Sequence, residues 1–385
     1  MLKKYDVAIV GGGPAGTTLG FLLQKAGIRN CIIDKQVFPR EKLCGGLLTE
    51  KTLSLLKELY GTIQFPYERT TSSVNLYIGT HKLSSVITNS TFCLINRSNF
   101  DNYLLEQYKK CGGETYEGTR IQKIEPQSKH LILDNNTELA YHVLVGADGA
   151  NSQVRQIIDS TYRPEALCIE ANFISENITD DIDVFFATVR NGYGWCFPKS
   201  NYYTIGIGGS IKLNKNIRES FIAFSNNINK PIADYNLKGA MVPFGKYVKD
   251  PCNNNVILIG DAAGLVDPIT GEGIYFAIKS SKCAYDSIYK YFQDNIPINK
   301  SYPKAIKDIH LLIDNANFFK KIFFNEFMQK NFLKKLEGRT NITKYFCDNI
   351  LANYKISYMQ FPFTYINVRH KRKTKNKKNN NKHGV

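Results

Sequence analysis

Residues 5–34 read YDVAIVGGGPAGTTLGFLLQKAGIRNCIID, and this stretch decides the fold. The apolar run 5–10 stops abruptly at glycines, as a buried parallel strand does before a tight turn. Residues 17–26 have the composition of a helix that stops at Gly27, and residues 31–33 are a second apolar run. The order of strand, helix and strand predicts a βαβ unit with parallel strands.

Glycines fill the turn between the first predicted strand and the predicted helix. Gly11, Gly13 and Gly16 form the pattern GxGxxG, and Asp34 closes the next strand. Glycine lets a diphosphate approach the helix N-terminus, where free N–H groups and the helix dipole favour anions. Asp34 is placed to hold the hydroxyl groups of an adenosine ribose. The turn therefore predicts a dinucleotide site whose contacts include Gly11, Gly13, Pro14, Ala15, Gly16, Asp34 and Lys35.

Two further turns containing glycine and aspartate follow apolar runs later in the chain. Residues 146–152 read GADGANS after the run 143–145, and residues 260–264 read GDAAG after the run 256–259. These turns resemble the Asp-Gly and Gly-Asp motifs of the p-hydroxybenzoate hydroxylase-like flavoproteins. The resemblance implies that Asp261 contacts the ribityl chain of FAD. It also implies that the helix after Gly273 directs its positive end at the flavin N1 and O2 region, which stabilises the reduced anion.

Two segments narrow the family further. Residues 39–46 read PREKLCGG, and residues 193–199 read YGWCFPK, with Gly206 and Gly208 shortly after them. Both resemble segments of the geranylgeranyl reductase family, which includes the CbrA-like bacterial proteins. That family has a PRxKxCGG-like loop beside the flavin and a YxWxFPK segment in its catalytic domain. The resemblance covers roughly residues 1–300.

The reaction that this resemblance implies is the reduction of isolated carbon–carbon double bonds in an isoprenoid or other lipophilic substrate. It places Cys44 near the flavin and Tyr193, Trp195 and Phe197 along an apolar substrate cavity. Cys44, Tyr193 and Trp195 are the candidate catalytic residues, and no residue identifies itself as the proton donor. The further FAD contacts implied are Arg40, Cys44, Gly45, Gly46, Arg97, Asp148, Gly149, Gly260, Asp261, Pro268, Gly271 and Gly273.

Simpler interpretations of these residues stay open. Cys44 fits an inert core thiol, Trp195 fits plain core packing, and Arg40 and Arg97 fit surface arginines. The same scaffold also serves monooxygenases that hydroxylate aromatic or lipophilic substrates. It serves flavin halogenases too, although residues 39–46 depart from the pattern expected there. The alternative from another class is a protein that binds FAD and a lipid without turnover.

The pattern of the remaining chain predicts a second domain. Residues 166–240 alternate apolar and polar positions, which favours a mostly antiparallel sheet, and the pattern beyond residue 300 is helical. The predicted fold class is α/β: a Rossmann-like, p-hydroxybenzoate hydroxylase-like FAD-binding domain with an inserted antiparallel substrate domain and C-terminal helices. We assign 1–65, 93–165 and 241–300 to the FAD-binding domain, 66–92 and 166–240 to the substrate domain, 301–365 to the helical region and 366–385 to a basic disordered tail.

Shorter elements are predicted between these motifs. Residues 96–110 are expected to form a helix with Ser98 as its N-cap. Residues 119–124, 130–133 and 138–142 are expected to form a small antiparallel meander, after which residues 143–146 return to the main sheet.

Bulk composition favours a globular enzyme. The chain has 385 residues, 43% of them hydrophobic, and its nine cysteines contain no CxxC pair, so neither disulfides nor a metal site is expected. Glycines and a proline interrupt its apolar start, and no other stretch is long enough to span a membrane, so we expect a cytoplasmic protein. Because no second GxGxxG opens another βαβ unit, electrons are expected from transiently bound NAD(P)H or from a protein donor.

Two features point to the surface of an anionic membrane. Part of the formal charge of +16 is concentrated in the tail that begins at Arg369, which alternatively serves only as a solubilising end. The Phe-rich stretch 313–332 could insert an apolar face, with Lys320, Lys321 and Lys330 near the headgroups. The alternative is that this stripe is a buried core face. We expect peripheral membrane association and no nucleic-acid partner.

Overall fold

The computed structural model describes residues 2–325, 329, 331, 337–354 and 358. Within them lie two eight-stranded sheets with helices packed against them, which confirms the predicted α/β fold class. The predicted tail 366–385 lies outside the described residues. So do Phe327, Lys330 and Phe332 of the Phe-rich stretch.

Helices separate groups of strands along the described part of the chain. The strands are β1 (Lys3–Val10), β2 (Asn30–Asp34), β3 (Leu47–Leu48), β4 (Arg69–Ile78), β5 (His81–Leu94), β6 (Glu114–Glu117), β7 (Ile121–Glu125), β8 (His130–Leu133), β9 (Glu138–Gly146), β10 (Ala166–Ile174), β11 (Ile182–Phe186), β12 (Gly192–Pro198), β13 (Tyr202–Ser210), β14 (Lys238–Val242), β15 (Cys252–Asn253) and β16 (Val256–Leu258). The helices are α1 (Pro14–Lys25), α2 (Glu50–Tyr60), α3 (Arg97–Lys110), α4 (Ile217–Asn227), α5 (Ile274–Asp294), α6 (Ile298–Ala305), α7 (Lys307–Phe323) and α8 (Thr340–Phe346).

Parallel pairing builds the centre of the first sheet, whose main order is β15-β16-β9-β1-β2-β6. The pairs β16-β9, β9-β1, β1-β2 and β2-β6 are parallel, and β15 pairs with β16 in the antiparallel direction. Val10 pairs with Gly146, and Gly146 pairs in turn with Leu258. Because these three strands end at the same level, the turns that follow them open at one edge of the sheet.

The second sheet has the order β14-β10-β13-β12-β11-β4-β5-β3. Its pairs are antiparallel except for β4 with β11, which confirms the predicted, mostly antiparallel sheet. On one of its faces, Phe221 and Phe224 of α4 are buried. Phe323 and Phe346, from α7 and α8, pack on another cluster of the same sheet. Each face of this sheet is therefore covered by helices from a different part of the chain.

Local chemistry explains where the structure departs from the sequence predictions. Helix α1 begins at Pro14 rather than at residue 17, because proline fits the first turn of a helix. The predicted N-cap Ser98 is wrong: the Asn96 side chain accepts a hydrogen bond from the Ser98 N–H at 2.9 Å. The strand β9 runs unbroken over residues 138–146, so the meander and the strand that returns to the main sheet share one strand.

The C-terminal helices bury much of the Phe-rich stretch. Ile313, Phe319 and Phe323 of α7 are buried, so they belong to the core and not to a membrane-inserting face. Lys320 is also directed inward, since its Nζ donates to the Phe244 carbonyl oxygen at 3.2 Å, which contradicts its predicted place near headgroups. The exposed apolar side chains of α7 are Leu311, Phe318 and Ile322. Among the described residues, no helix is long and apolar enough to cross a membrane.

Candidate active site

One cavity of about 1000 Å³ lies where the turns of the first sheet meet the second sheet. Most of the residues predicted to contact FAD or substrate line it. They are Gly11, Gly13, Pro14, Ala15, Asp34, Lys35, Arg40, Cys44, Gly45, Gly46, Arg97, Asp148, Gly149, Asp261, Gly271, Gly273, Tyr193, Trp195 and Phe197. The structure thus brings together residues that are more than 200 positions apart in the chain.

Three of the predicted FAD contacts do not line this cavity. A Cβ atom on Gly16 would lie 1.9 Å from the Gly11 carbonyl oxygen, so Gly16 lets α1 pack on its own turn. Gly260 is buried and donates its N–H to the Ser280 hydroxyl at 2.9 Å. Pro268 is not part of the cavity lining and packs against Gly245. Each of them shapes the site without facing it, and their predicted contact role has no geometric support.

The N-terminus of α1 forms an anion site together with Arg40. Gly11 has a φ of 108°, and a Cβ there would meet the Ala147 carbonyl oxygen at 2.3 Å. A Cβ on Gly13 would lie 3.6 Å from Nη2 of Arg40. Arg40 Nη1 is buried and has no hydrogen-bond partner among the described residues. An unpaired guanidinium nitrogen beside a helix N-terminus fits the diphosphate of FAD.

Two acidic side chains set the position of these groups. Asp34 accepts the Gly12 N–H at 2.7 Å and the Gln36 N–H at 2.9 Å, which holds its carboxylate at the cavity where a ribose is expected. Asp101 is fully buried and pairs with both Arg97, at 2.7 Å, and Arg40, at 3.1 Å. This role of Asp101 was not predicted from the sequence, although its spacing of four residues from Arg97 on one helix indicates such a pair.

The hydrogen bonds of Arg97 within the protein limit its capacity to bind a phosphate. Its Nε and Nη2 both donate to Asp101, and this carboxylate raises the Arg97 pKa although burial alone would lower it. The Arg97 charge is therefore largely compensated within the protein. Arg40 keeps an unpaired nitrogen and is the stronger candidate for the phosphate contact.

The aspartates of the second and third turns differ in their surroundings. Asp148 accepts hydrogen bonds from the Ser152 hydroxyl at 2.5 Å and from the N–H groups of Gln153 and Val154, so it caps the turn that follows it. No described residue donates to the Asp261 side chain, and a Cβ on Gly273 would lie 3.2 Å from its Oδ1. Burial raises the pKa of Asp261. Because no described residue donates to it, the Asp261 side chain is available to accept from a ligand hydroxyl near the start of α5.

A buried arginine ties these two turns together. Arg155 donates from Nη2 to the Ala150 carbonyl oxygen at 2.6 Å and from Nη1 to the Ala262 carbonyl oxygen at 3.0 Å. Its guanidinium carbon lies 4.3 Å from the ring centre of Tyr162. Burial lowers the Arg155 pKa. One side chain thus fixes the spacing between the second and third turns.

A buried lysine ties the first sheet's loop to the second sheet. Lys199, 1% exposed, donates from Nζ to the Gly45 carbonyl oxygen at 2.8 Å and to the Ile95 carbonyl oxygen at 2.9 Å. Burial lowers the Lys199 pKa to about 8. The segments 39–46 and 193–199 are therefore in direct contact.

The predicted catalytic side chains lie at this junction. The Trp195 ring crosses the sheet over Gly206, where a Cβ would be 2.2 Å from the indole. A Cβ on Gly45 would lie 3.2 Å from Trp195 Nε1. Cys44 Sγ accepts the Gly46 N–H at 3.3 Å. Tyr193 donates its hydroxyl to the Thr270 carbonyl oxygen, so this hydroxyl holds the loop that leads into α5 and is not directed at a substrate.

Beyond Trp195 the cavity wall becomes apolar. Strands β4, β5, β11 and β14 supply most of this part, and the C-terminal helical region closes it. The side chains are Val74, Leu76, Phe92, Ile182, Val184, Phe186, Met241, Val242, Phe244, Ile269, Phe323, Phe346 and Leu351. We call this part the apolar lobe. The sequence analysis named Phe197 near it but missed most of its residues, because alternating strands carry no motif that marks which face lines a cavity.

The C-terminal region also holds the loop that leads into α5. Asp267 accepts from the N–H groups of Ile269 and Thr270 at 2.8 and 2.9 Å, and from the hydroxyls of Tyr354 and Tyr358 at 2.8 and 3.1 Å. This loop lines the cavity through residues 269–273. The last described residues thus complete the site even though they carry no recognised motif.

Comparison with known proteins places these features in a family. Residues 4–209 match the family model described as FAD binding domain. An uncharacterised protein of Methanosarcina barkeri is 31% identical over 306 residues, which is 77% of each chain. The geranylgeranyl diphosphate reductase of Rhodobacter capsulatus is 26% identical over 78% of this chain and 79% of its own length.

Solved structures show the same fold. A geranylgeranyl bacteriochlorophyll reductase-like protein from Thermoplasma acidophilum superposes with a TM-score of 0.74 at 21% identity, covering 89% of this chain and 92% of its own. A probable FAD-dependent monooxygenase from Pseudomonas aeruginosa gives a TM-score of 0.70 at 17% identity, covering 87% and 99%. At these identities the likeness shows the fold alone.

Removal of the Asp261 carboxylate is expected to weaken FAD binding without destabilising the apoprotein. Asp261→Ala should raise the Kd for FAD roughly ten- to hundred-fold, since one hydrogen bond to a charged group contributes about 1.5–3 kcal/mol. The Kd is measured by fluorescence titration of the apoprotein, and stability by urea unfolding. The comparison variant Asp148→Ala should lower the unfolding free energy, because Asp148 holds its own turn. Unchanged FAD affinity of Asp261→Ala would contradict the assignment of its carboxylate.

Lys199→Met is expected to destabilise the protein by roughly 1.5–3 kcal/mol, because the carbonyl groups of Gly45 and Ile95 lose a buried donor. The folded-state pKa of about 8 is below the ordinary 10.5, so the unfolded chain binds more protons between these values. The Lys199 contribution to the unfolding free energy therefore rises with pH through this window.

Urea unfolding at pH 8 and at pH 10.5 measures this difference between wild type and Lys199→Met. The exposed Lys212→Met is the control and should show no change at either pH. A difference that stays constant between the two pH values would contradict a buried Lys199 with a lowered pKa.

Proposed function

Because the chain belongs to the geranylgeranyl reductase-like family of FAD-dependent oxidoreductases, we propose that it reduces carbon–carbon double bonds of an isoprenoid or other lipophilic substrate. The observation that carries this proposal is the apolar lobe that adjoins the loop 44–46. A long hydrocarbon chain fits a wall of aliphatic and aromatic side chains with few polar groups, because its burial there releases water from apolar surface.

Different residues are proposed to act in the FAD-binding part of the cavity and in the apolar lobe. Arg40 and the N-terminus of α1 would hold the FAD diphosphate, Asp34 the ribose and Asp261 the ribityl chain. When bound, reduced FAD supplies the hydride. Trp195 bounds the apolar lobe where it meets loop 44–46, and the lobe excludes water from the double bond. The hydride donor that regenerates the cofactor is proposed to be NAD(P)H or a protein that binds transiently.

The main competing function is monooxygenation of an aromatic or lipophilic substrate, for which the same fold is suited. The alternative that is not an enzyme is a flavoprotein that binds FAD and a lipid without turnover. Oxygen distinguishes them: a monooxygenase needs it, a reductase works without it, and a binding protein gives no product in either condition.

The proposed reaction is tested with the FAD-loaded protein, reduced by dithionite under anaerobic conditions and mixed with geranylgeranyl diphosphate in detergent. We expect the oxidised flavin absorbance to return and each product molecule to gain two hydrogens per reduced bond, detected by mass spectrometry. Product that forms only with oxygen and gains an oxygen atom would overturn the proposal in favour of monooxygenation.

Trp195→Ala is expected to lower kcat/KM for this substrate roughly ten- to hundred-fold, because the loss of an aromatic wall removes about 1.5–3 kcal/mol of apolar contact. FAD content should stay unchanged. Trp195→Phe is the matched control and should retain most activity, because the indole Nε1 has no described partner to lose. Loss of FAD and of thermal stability together in Trp195→Ala would instead assign the ring to core packing.

Peripheral membrane association belongs to the same proposal, because an isoprenoid substrate resides in the bilayer. Leu311, Phe318 and Ile322 are exposed on α7 at 58%, 54% and 40%. Their spacing of seven and four residues places them on one side of the helix. Phe323, the next residue on α7, is turned away from this side and lines the apolar lobe. The same helix therefore connects the proposed lipid contact to the substrate cavity.

Phe318→Ser with Ile322→Ser is expected to reduce co-sedimentation with vesicles of anionic phospholipid at high salt. Basic residues contribute about 1 kcal/mol each near an anionic surface and are screened by salt, whereas apolar insertion persists. Truncation after residue 368 should weaken binding at low salt alone. Tyr289→Ser is the control, since Tyr289 is exposed on α5. No binding of the wild-type chain at low salt would contradict the association.

A further inference from the structure

Besides Arg40 Nη1 at the expected diphosphate position, two polar atoms of the cavity wall are buried without a hydrogen-bond partner among the described residues. They are Glu170 Oε2 and Trp195 Nε1. Glu170 is 9% exposed and Trp195 6%, and both line the cavity. A buried polar group without a partner costs free energy, and the cost is greater for an acidic group, so the unpaired oxygen of Glu170 points to a function.

The two side chains lie in one row across the second sheet. Glu170 on β10 pairs with Gly206 on β13, and Gly206 pairs with Trp195 on β12. Gly206 has no side chain, and the indole ring occupies the space above it. The carboxyl group and the ring therefore face the same cavity from neighbouring positions.

The other oxygen of Glu170 contacts the loop predicted to lie beside the flavin. Oε1 accepts the Cys44 N–H at 2.8 Å. This bond fixes the carboxyl group against loop 44–46 and leaves Oε2 as the unpaired atom. Glu170 is thus placed between the expected flavin position and the apolar lobe, where a double bond must lie to be reduced.

The positive charges near Glu170 do not offset the effect of burial on its pKa. Lys199, Arg97 and Lys42 lower its pKa, but burial has the larger effect and raises the Glu170 pKa to about 7. Lys199 directs its Nζ at backbone carbonyls and Arg97 at Asp101, so neither forms an ion pair with Glu170. Cys168, two residues earlier on β10, is half-buried, and burial raises the pKa of its thiol to about 12, so it stays neutral beside Glu170.

Other acidic groups at the junction are less suited to donate a proton. Tyr193 uses its hydroxyl proton on the Thr270 carbonyl, and burial raises its pKa far above the ordinary value. Asp261 lies in the third turn, next to Gly273 before α5, where it is assigned to the ribityl chain.

We propose that Glu170 is the proton donor of the reaction, an inference that rests on the proposed function. One carbon of the double bond accepts a hydride from reduced FAD, and its neighbour takes the proton from Glu170 Oε2. The π bond breaks, two C–H bonds form, and the cofactor is left oxidised by two electrons. The carboxylate regains its proton from water, and the Cys44 N–H stabilises the transient charge.

The test uses Glu170→Gln in the FAD-loaded protein. Glutamine keeps an oxygen that accepts the Cys44 N–H but has no acidic proton, so it separates proton donation from loop positioning. Anaerobic flavin reoxidation by geranylgeranyl diphosphate should slow about hundred-fold with little change in KM, as for loss of a general acid. The wild-type rate should fall as pH rises through about 7, and the variant should lose this dependence. Glu176→Gln, exposed beyond the end of β10, is the control.

A second measurement does not depend on turnover. Infrared difference spectra of the oxidised holoprotein between pH 6 and pH 8 should show loss of a protonated carboxyl band that Glu170→Gln lacks and Glu176→Gln keeps. If Glu170→Gln does not fold, Glu170→Asp is used instead. Slower proton transfer by Glu170→Asp, with a shifted pH profile, would support the proposal.

The outcomes separate the two proposals. Wild-type turnover with an equally fast Glu170→Gln, or a Glu170 that is already ionised at pH 6, overturns Glu170 as the donor. No turnover by the wild type overturns the proposed function instead. In that case the infrared titration alone decides whether Glu170 is the acid of the cavity.

Discussion

Val10, Gly146 and Leu258 lie in register on three adjacent parallel strands, and the site depends on this alignment. Parallel strands that end at one level place their following turns at one edge, where N–H groups at helix starts and short polar side chains meet a ligand. The hydrogen bonds of the sheet fix this register, and a slip by one residue would reverse the direction of every side chain. The alignment therefore explains how a site can draw on turns near the start, the middle and two-thirds of the chain.

Buried cations then hold the turns to one another. Arg155 joins the second turn to the third, and Lys199 joins loop 44–46 to the second sheet. Burial of a positive charge is unfavourable, and here carbonyl oxygens offset it by accepting short hydrogen bonds. If either side chain moved away, the buried carbonyl oxygens that it contacts would lose their hydrogen-bond donor. Both side chains therefore hold the loops in place before any ligand binds. Such preorganisation matters for hydride transfer, because the reacting carbon must be held close to the flavin in a fixed direction.

The sequence was sufficient to predict those parts of the site whose residues lie close together in the chain. A strand, a glycine turn and a helix occupy about thirty residues, so GxGxxG and Asp34 could be interpreted directly. The long-range contacts were not predictable in this way: Glu170 meets Cys44 across 126 positions, and Lys199 meets Gly45 across 154. The pattern of β10 marks Glu170 only as one polar residue among apolar ones. Its role becomes visible when the fold buries it and leaves one oxygen unpaired.

Flavin and substrate are proposed to meet at loop 44–46, between the two sheets. A crystal structure of the FAD-loaded protein would show whether they do. We expect the diphosphate between the N-terminus of α1 and Arg40, and the isoalloxazine ring between loop 44–46 and the start of α5, with the apolar lobe open on its far side. A ring that lies within the apolar lobe, or a diphosphate that does not contact Arg40, would contradict this proposal.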